Sequence, residues 1–150
     1  MLLNDAQIAL NDVIVNCIDA ADHYDDAAGM VEHDAIAALF RELADQRRTI
    51  AAELGTHIRR LGGLPRDAGG DRETVQRLLA RLKASLSEDK RAALLTEREA
   101  VECQLDEMVN TALQQNIPDE TKAYLDEVKV HIADASRRLR EAKCKIAGSD

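Results

Sequence analysis

The sequence predicts an all-α protein, a bundle of four long amphipathic helices that forms a single domain over residues 1–150. Apolar residues recur at the three- and four-residue spacing of an α-helix along most of the chain. Only seven glycines and two prolines are present, which leaves few turn positions for an all-β sandwich. With 150 residues, of which 45% are hydrophobic, the chain is long enough to enclose a core.

The first two helices are predicted from their apolar seams and from residues that favour helix ends. The first begins near Asp5, which is suited to capping it, and fades near Gly29. Its seam consists of Leu10, Val13, Cys17, Ala20, Tyr24, Ala27 and Val31. The second begins at Asp34, a predicted N-cap, and ends at Gly62 and Gly63. Its seam consists of Ile36, Phe40, Leu43, Ile50, Leu54 and Leu61.

The second half of the chain is predicted to contain a loop, a short helix and two more long helices. Residues 62–70 hold four of the seven glycines and form the clearest loop. A short amphipathic helix follows from about Asp71 to Leu86, and Ser87 caps the third long helix. The third seam consists of Leu94, Val101, Leu105, Met108 and Ala112. After the break at Pro118, the fourth consists of Leu125, Val128, Ile132, Ala135, Leu139, Ala142 and Ile146.

The lengths of the connections predict how the helices are arranged. Tight links join the first helix to the second and the third to the fourth, so each pair is expected to be antiparallel. A helix of about 16 residues spans about 24 Å, and its flanking loops can supply the rest of a path of about 40 Å. We therefore expect one long crossover carrying a short extra helix, which is the topology of ferritin-like bundles. The alternative is a short helix packed across one end.

Composition and missing motifs exclude several classes of function. The net charge is −8 and aromatic residues make up 2%, which disfavours nucleic-acid binding. No apolar run is long enough to span a membrane, and no secretory signal is recognisable, so we expect a cytoplasmic protein without membrane association. No Ser-His-Asp arrangement, phosphate loop or dinucleotide turn is present, which favours a protein that is not an enzyme.

Several stretches resemble a bacterial family of ferritin-like four-helix-bundle proteins of unassigned function. The similar stretches are AIAALF (35–40), AAEL (51–54), IRRLGGLP (58–65) and PDETKAYL (118–125), together with the Glu99 and Glu102 pair. The resemblance extends over about the whole chain, and the Arg-Arg-Leu-Gly-Gly segment is its best single mark. It implies the ferritin-like fold, and it does not imply a known reaction.

The ligand pattern of a ferritin-like di-metal centre is incomplete. Such a centre takes a carboxylate from each of two helices and Glu-x-x-His from each of the other two. No Glu-x-x-His is present, and Asp22 of the first helix falls off the apolar seam. The third helix keeps Glu99 and Glu102. We therefore expect the di-iron ligands to be largely lost, with no cofactor.

Arg47 occupies a seam position where a core residue is expected. Glu102 borders the third seam at a similar height, so an ion pair between these two side chains would satisfy both without a metal. The alternative is that Arg47 extends past the neighbouring alanines and keeps its guanidinium in water. Tyr24 is interpreted as a packing residue at the edge of the core.

A second group of possible ligands lies on the second and fourth helices. Glu53 and His57, and likewise Glu127 and His131, are four residues apart and share a helix face. Antiparallel packing would put the two pairs near one level, where His57 and His131 could hold zinc or iron. The alternative is ordinary charge pairs on the helix surface.

We therefore expect a non-catalytic cytoplasmic protein that associates with itself or with a protein partner. Additional apolar rows, Ile14 and Ile18 on the first helix and Leu95 and Val109 on the third, would either extend the core or form a dimer interface. The alternative function is a ferritin-like metal-binding or oxidative-stress protein with a degenerate iron or zinc site. Its candidate ligands are Glu53, His57, Glu99, Glu102 and His131.

Overall fold

The computed structural model describes residues 4–31, 34–66 and 88–148. Within these ranges the chain forms four α-helices: α1 (Asp5–Ala28), α2 (Asp34–Arg60), α3 (Glu88–Leu113) and α4 (Asp119–Ala147). The predicted all-α bundle of four long helices is thereby confirmed. The predicted short helix over residues 71–86 and the predicted cap at Ser87 lie outside the described residues. None of the described helices has the length and apolar character that crossing a membrane requires.

Local hydrogen bonds explain where α1 begins and where α2 ends. Asn4 caps α1: its side chain accepts from the Gln7 amide at 2.8 Å, and the Gln7 side chain accepts from the Asn4 amide at 3.2 Å. The expected cap at Asp5 is wrong, because Asp5 is the first helical residue. At the end of α2, Gly62 has a φ of +82°, which favours glycine. The Gly63 amide donates to the Ile58 carbonyl at 2.9 Å, so the predicted glycine stop is confirmed.

The helix directions follow from contacts and from the distribution of the core. In one hairpin, Lys129 and Lys143 of α4 donate to Asp106 and Thr96 of α3, so these helices are antiparallel. Two apolar clusters occur among the described residues: the first includes Phe40 of α2 and Leu95 of α3, and the second includes Leu54 of α2 and Leu105 of α3. Both α2 and α3 begin at the first cluster and end at the second. They therefore run in the same direction. The chain leaves α2 at one end of the bundle and enters α3 at the other.

The predicted seams of α1, α2 and α4 face the core, whereas the predicted seam of α3 is confirmed only at Leu94, Leu105 and Ala112. Val101 and Met108 are only half-buried, and their places are taken by Arg98, Glu102 and Val109. The additional apolar rows extend the core: Ile14, Leu95 and Val109 are buried, and Ile18 packs against the core from its edge. Ile14, Leu95 and Val109 are therefore core residues, and their side chains are not available at the surface.

Candidate functional site at the centre of the bundle

A cluster of charged and polar side chains lies in the core between the two apolar clusters. It consists of Tyr24 from α1, Arg47 from α2, and Arg98 and Glu102 from α3, and we call it the central cluster. Arg47, Tyr24 and Glu102 are 0% exposed and Arg98 is 3% exposed. Helical spacing determines these positions, because each residue continues the buried stripe of its own helix. Buried charges of this kind require partners, since removal from water is costly.

Arg47 and Glu102 form an ion pair across the core. Arg47 Nη2 lies 2.5 Å from Glu102 Oε2, and Arg47 Nε donates to Glu102 Oε1 at 3.4 Å. Tyr24 Oη donates to the same Oε1 at 2.7 Å, so both carboxylate oxygens have partners. The predicted pair is confirmed. The alternative in which Arg47 extends into water is wrong, and Tyr24 lies at the centre of the core rather than at its edge.

Arg98 is the member of the central cluster that sequence reasoning missed. Its guanidinium carbon lies 5.6 Å from the centroid of the Tyr24 ring, and its Nη2 donates to Glu97 Oε1 at 3.0 Å. Glu97 is mostly outside the core, since its side chain is 57% exposed. The available signal was the spacing between Arg98 and Glu102, because residues four apart share a helix face.

Burial and charge keep the weakly acidic groups of this region protonated. Burial, followed by the charge of Glu102, raises the pKa of Tyr24 well above its usual value, although Arg47 and Arg98 oppose the shift. Burial raises the pKa of the neighbouring Cys17 thiol to about 12. At neutral pH both groups are therefore uncharged. Tyr24 acts as a hydrogen-bond donor and Cys17 as a core residue.

The central cluster does not fit a di-metal centre held by carboxylates and histidines. Both oxygens of Glu102 are engaged, and a guanidinium occupies the position from which a cation would approach. Glu99 does not join Glu102 at one site, because its Oε1 lies 3.4 Å from Lys143 Nζ of α4. A permanent positive charge at the carboxylate opposes the binding of a divalent cation.

The structure places the second group of predicted ligands apart. His57 is buried, with Nδ1 2.8 Å from Thr121 Oγ1 and Nε2 3.6 Å from Glu53 Oε1. His131 is exposed and lines a groove between α2 and α4. It lies ten residues beyond Thr121, about 15 Å along the helix.

The separation follows from the antiparallel packing of α2 and α4. The charges of Glu53 and Glu127 both raise the pKa of Tyr124, so the two carboxylates lie near the level of that ring. Each histidine follows its glutamate by four residues, and because the helices are antiparallel the two histidines lie on opposite sides of this level. Glu127 is itself exposed. Within the described ranges, no three or more His, Cys, Asp or Glu side chains are arranged to hold a metal ion.

Comparison with known proteins places the chain in a family. A model described as a domain of unknown function (DUF2383) matches residues 5–115. The chain belongs to this family. The DUF2383 match includes α1, α2 and α3, and therefore every member of the central cluster, whereas α4 lies beyond it. No match was found among curated proteins, and none among solved structures.

Proposed function

We propose that this protein is a non-catalytic, ferritin-like bundle of the cytoplasm that acts by associating with itself or with a protein partner. In this proposal an internal ion pair has replaced the metal centre of the ferritin-like architecture. The observation that carries the proposal is the Arg47–Glu102 pair, which is buried at mid-bundle and engages both oxygens of the carboxylate.

The directions of the helices support the ferritin-like part of the proposal. In ferritin-like bundles one long crossover joins two hairpins, and metal ligands project into the core from facing helices. Here α2 and α3 run in the same direction, and the central cluster projects into the core from α1, α2 and α3. At that level α4 contributes the apolar side chains Ile132 and Ala135.

The protonation states support a non-catalytic role for the central cluster. The Cys17 thiol and the Tyr24 phenol are both neutral at physiological pH, so neither is a ready nucleophile or base. The Glu102 carboxylate is held between a guanidinium and a phenol. A cluster of this kind holds three helices in register.

Apolar side chains at one end of the bundle support association through that end. Leu64 is 76% exposed and Ile8 is 43% exposed. Both lie at the same end of the bundle, because Asn11, one turn after Ile8, donates to the Leu64 carbonyl at 3.4 Å. Grouped apolar exposure of this kind is characteristic of contact surfaces. We therefore assign the contact to the end that carries Ile8 and Leu64.

Metal analysis tests the replacement of the metal centre. The full chain, produced with iron and zinc supplied, is expected to contain metal well below one ion per chain by elemental analysis. Near-stoichiometric metal that disappears in Glu102→Gln would contradict the proposal and favour the degenerate metal-site alternative. Glu53→Gln is the matched variant, because metal lost only there would assign the site to Glu53 and His57.

Light scattering coupled to size exclusion tests self-association at micromolar concentration. We expect a species larger than the monomer, and a shift toward monomer in Leu64→Ser because an apolar contact is lost. Val130→Ser is the control, since Val130 is 69% exposed on α4. A wild-type chain that is entirely monomeric, or equal effects of the two variants, would count against association through this end.

A further inference from the structure

The central cluster holds more positive than negative charge. Arg47 and Arg98 bring two guanidinium cations into the core, and Glu102 is the carboxylate buried with them. Glu97, the ion-pair partner of Arg98, is 57% exposed, so water screens much of its charge. Within the central cluster, one of the two positive charges is therefore not balanced by a buried carboxylate.

Unpaired N–H groups accompany this excess charge. Arg47 Nη1 and the Nε and Nη1 atoms of Arg98 are buried and have no hydrogen-bond partner among the described residues. All belong to guanidiniums beside Tyr24: Arg98 lies over the ring, and Arg47 shares Glu102 Oε1 with the phenol. A buried charged donor without a partner is costly, so an acceptor bound here would stabilise the fold.

We infer that the core of this bundle binds one small monovalent inorganic anion, of which chloride is the representative, at the unpaired N–H groups of Arg47 and Arg98. A single negative charge balances the single excess positive charge, whereas a divalent anion would leave a negative excess. A small anion suits donors that are closed off from solvent. The inference rests on the proposed function, in which the ion pair of the central cluster has replaced a metal centre. It adds that the same cluster binds an anion.

The charge of Arg98 also acts on a histidine of α1. His23 of α1 is half-buried, and its pKa is lowered by burial first and by the charge of Arg98 second. The nearby carboxylates of Asp19, Asp26 and Glu97 oppose that shift without overcoming it. Arg98 therefore lies close enough to α1 for its charge to act on His23, where the three carboxylates act in the opposite sense.

Anomalous scattering locates the anion directly. Crystals of the full chain soaked in sodium bromide are expected to show a bromide peak within hydrogen-bond distance of Arg98 Nη1 or Arg47 Nη1. Water at this position, or bromide only at the protein surface, would overturn the inference. This measurement needs no variant, so it decides even if substitutions in the core fail to fold.

Salt-dependent stability tests the same site in solution. Urea unfolding is compared in sodium chloride and in sodium gluconate, a bulky organic anion, at equal ionic strength. Chloride is expected to lower the unfolding constant by a factor of one plus its concentration over its dissociation constant, about tenfold at ten times that constant. Equal stability in the two salts would refute the inference.

Two variants distinguish the core from the surface. Arg98→Met is expected to abolish the difference between chloride and gluconate, because it removes the unbalanced charge. Arg140→Met, which removes an exposed cation of α4, is expected to retain it. A difference that persists in Arg98→Met would assign the effect to the surface and overturn the inference. The metal content decides the proposed function separately, because a chain without metal that also ignores chloride refutes only the anion site.

Discussion

The Arg47–Glu102 pair predicts strong energetic coupling between two residues that are 55 positions apart in the chain. Arg47→Met leaves a carboxylate buried with a phenol as its remaining hydrogen-bond donor, and Glu102→Leu leaves an unpaired guanidinium. Loss of one partner of a buried ion pair destabilises a protein by roughly 3–5 kcal/mol. We expect each single variant to be destabilised by about that amount.

The double variant Arg47→Met, Glu102→Leu is expected to be much more stable than the sum of the single effects. It contains no stranded charge, and its main defect is the Tyr24 hydroxyl, whose lost acceptor costs about 1–3 kcal/mol. The coupling energy is therefore at least about 3 kcal/mol. Adding Tyr24→Phe should recover part of the remaining loss.

Urea unfolding followed by circular dichroism measures these free energies. Because a protein of this size is stable by only about 5–15 kcal/mol, the series is measured in an osmolyte that keeps the single variants folded. The Arg138–Glu42 pair is the matched control, since it is bidentate but exposed. The double-mutant cycle of this exposed pair should give a coupling energy of roughly 0.2–1 kcal/mol. If the unfolding free energies lost in Arg47→Met and Glu102→Leu add up to the loss in the double variant within about 0.5 kcal/mol, the buried pair is refuted.

Three further predictions concern single positions. With a thiol pKa of about 12, Cys17 should not react with a disulfide reagent until the chain is unfolded. The two exposed cysteines, Cys103 and Cys144, should react at once. Equal reaction rates for all three thiols would contradict the burial of Cys17. The pKa of His23 is lowered in the folded state, so its contribution to stability is present above about pH 6.5 and is lost as pH falls below it. His23→Gln should reduce the drop in the urea midpoint between neutral and acidic pH, and an unchanged drop would exclude His23 as its source. Gly62→Ala should cost about 1 kcal/mol of unfolding free energy, because Gly62 has a φ of +82°, whereas Gly148→Ala, at a φ of −91°, should cost less.

Much of the fold could be predicted because it depends on local periodicity. The spacing of apolar residues is a property of consecutive turns, so the seams of α1, α2 and α4 follow from the chain itself. The glycine stop after α2 is also local, because Gly62 alone allows the backbone to turn there. The face of α3 was predicted correctly at Leu94, Leu105 and Ala112 and wrongly at Val101 and Met108. The reason is that charged residues at 98 and 102 occupy part of its buried stripe, so apolar periodicity favours neighbouring positions there.

The candidate site was predictable only in part. Arg47 was identifiable because a charged residue interrupts an otherwise apolar seam, and Glu102 because it borders the seam of α3. The roles of Tyr24 and Arg98 were not identifiable in this way. A tyrosine on a seam is compatible with simple packing, and the buried stripe of α3 includes Arg98, which apolar periodicity does not mark. His57 and His131 were expected at one level of the bundle, and this expectation is wrong. In antiparallel helices, a step of four residues toward the carboxyl end leads in opposite directions along the bundle.

Local order in the chain was enough to specify four helices, most of their buried faces and a charged residue that had to find a partner or reach water. Which of these two outcomes occurs depends on the rotation and relative height of three helices that are far apart in sequence. The packing brings Arg47, Glu102 and Tyr24 within hydrogen-bond distance and encloses Arg98 beside them. The reason is that the energy of a buried charge depends on its neighbours in space, and those neighbours exist only after the helices have packed.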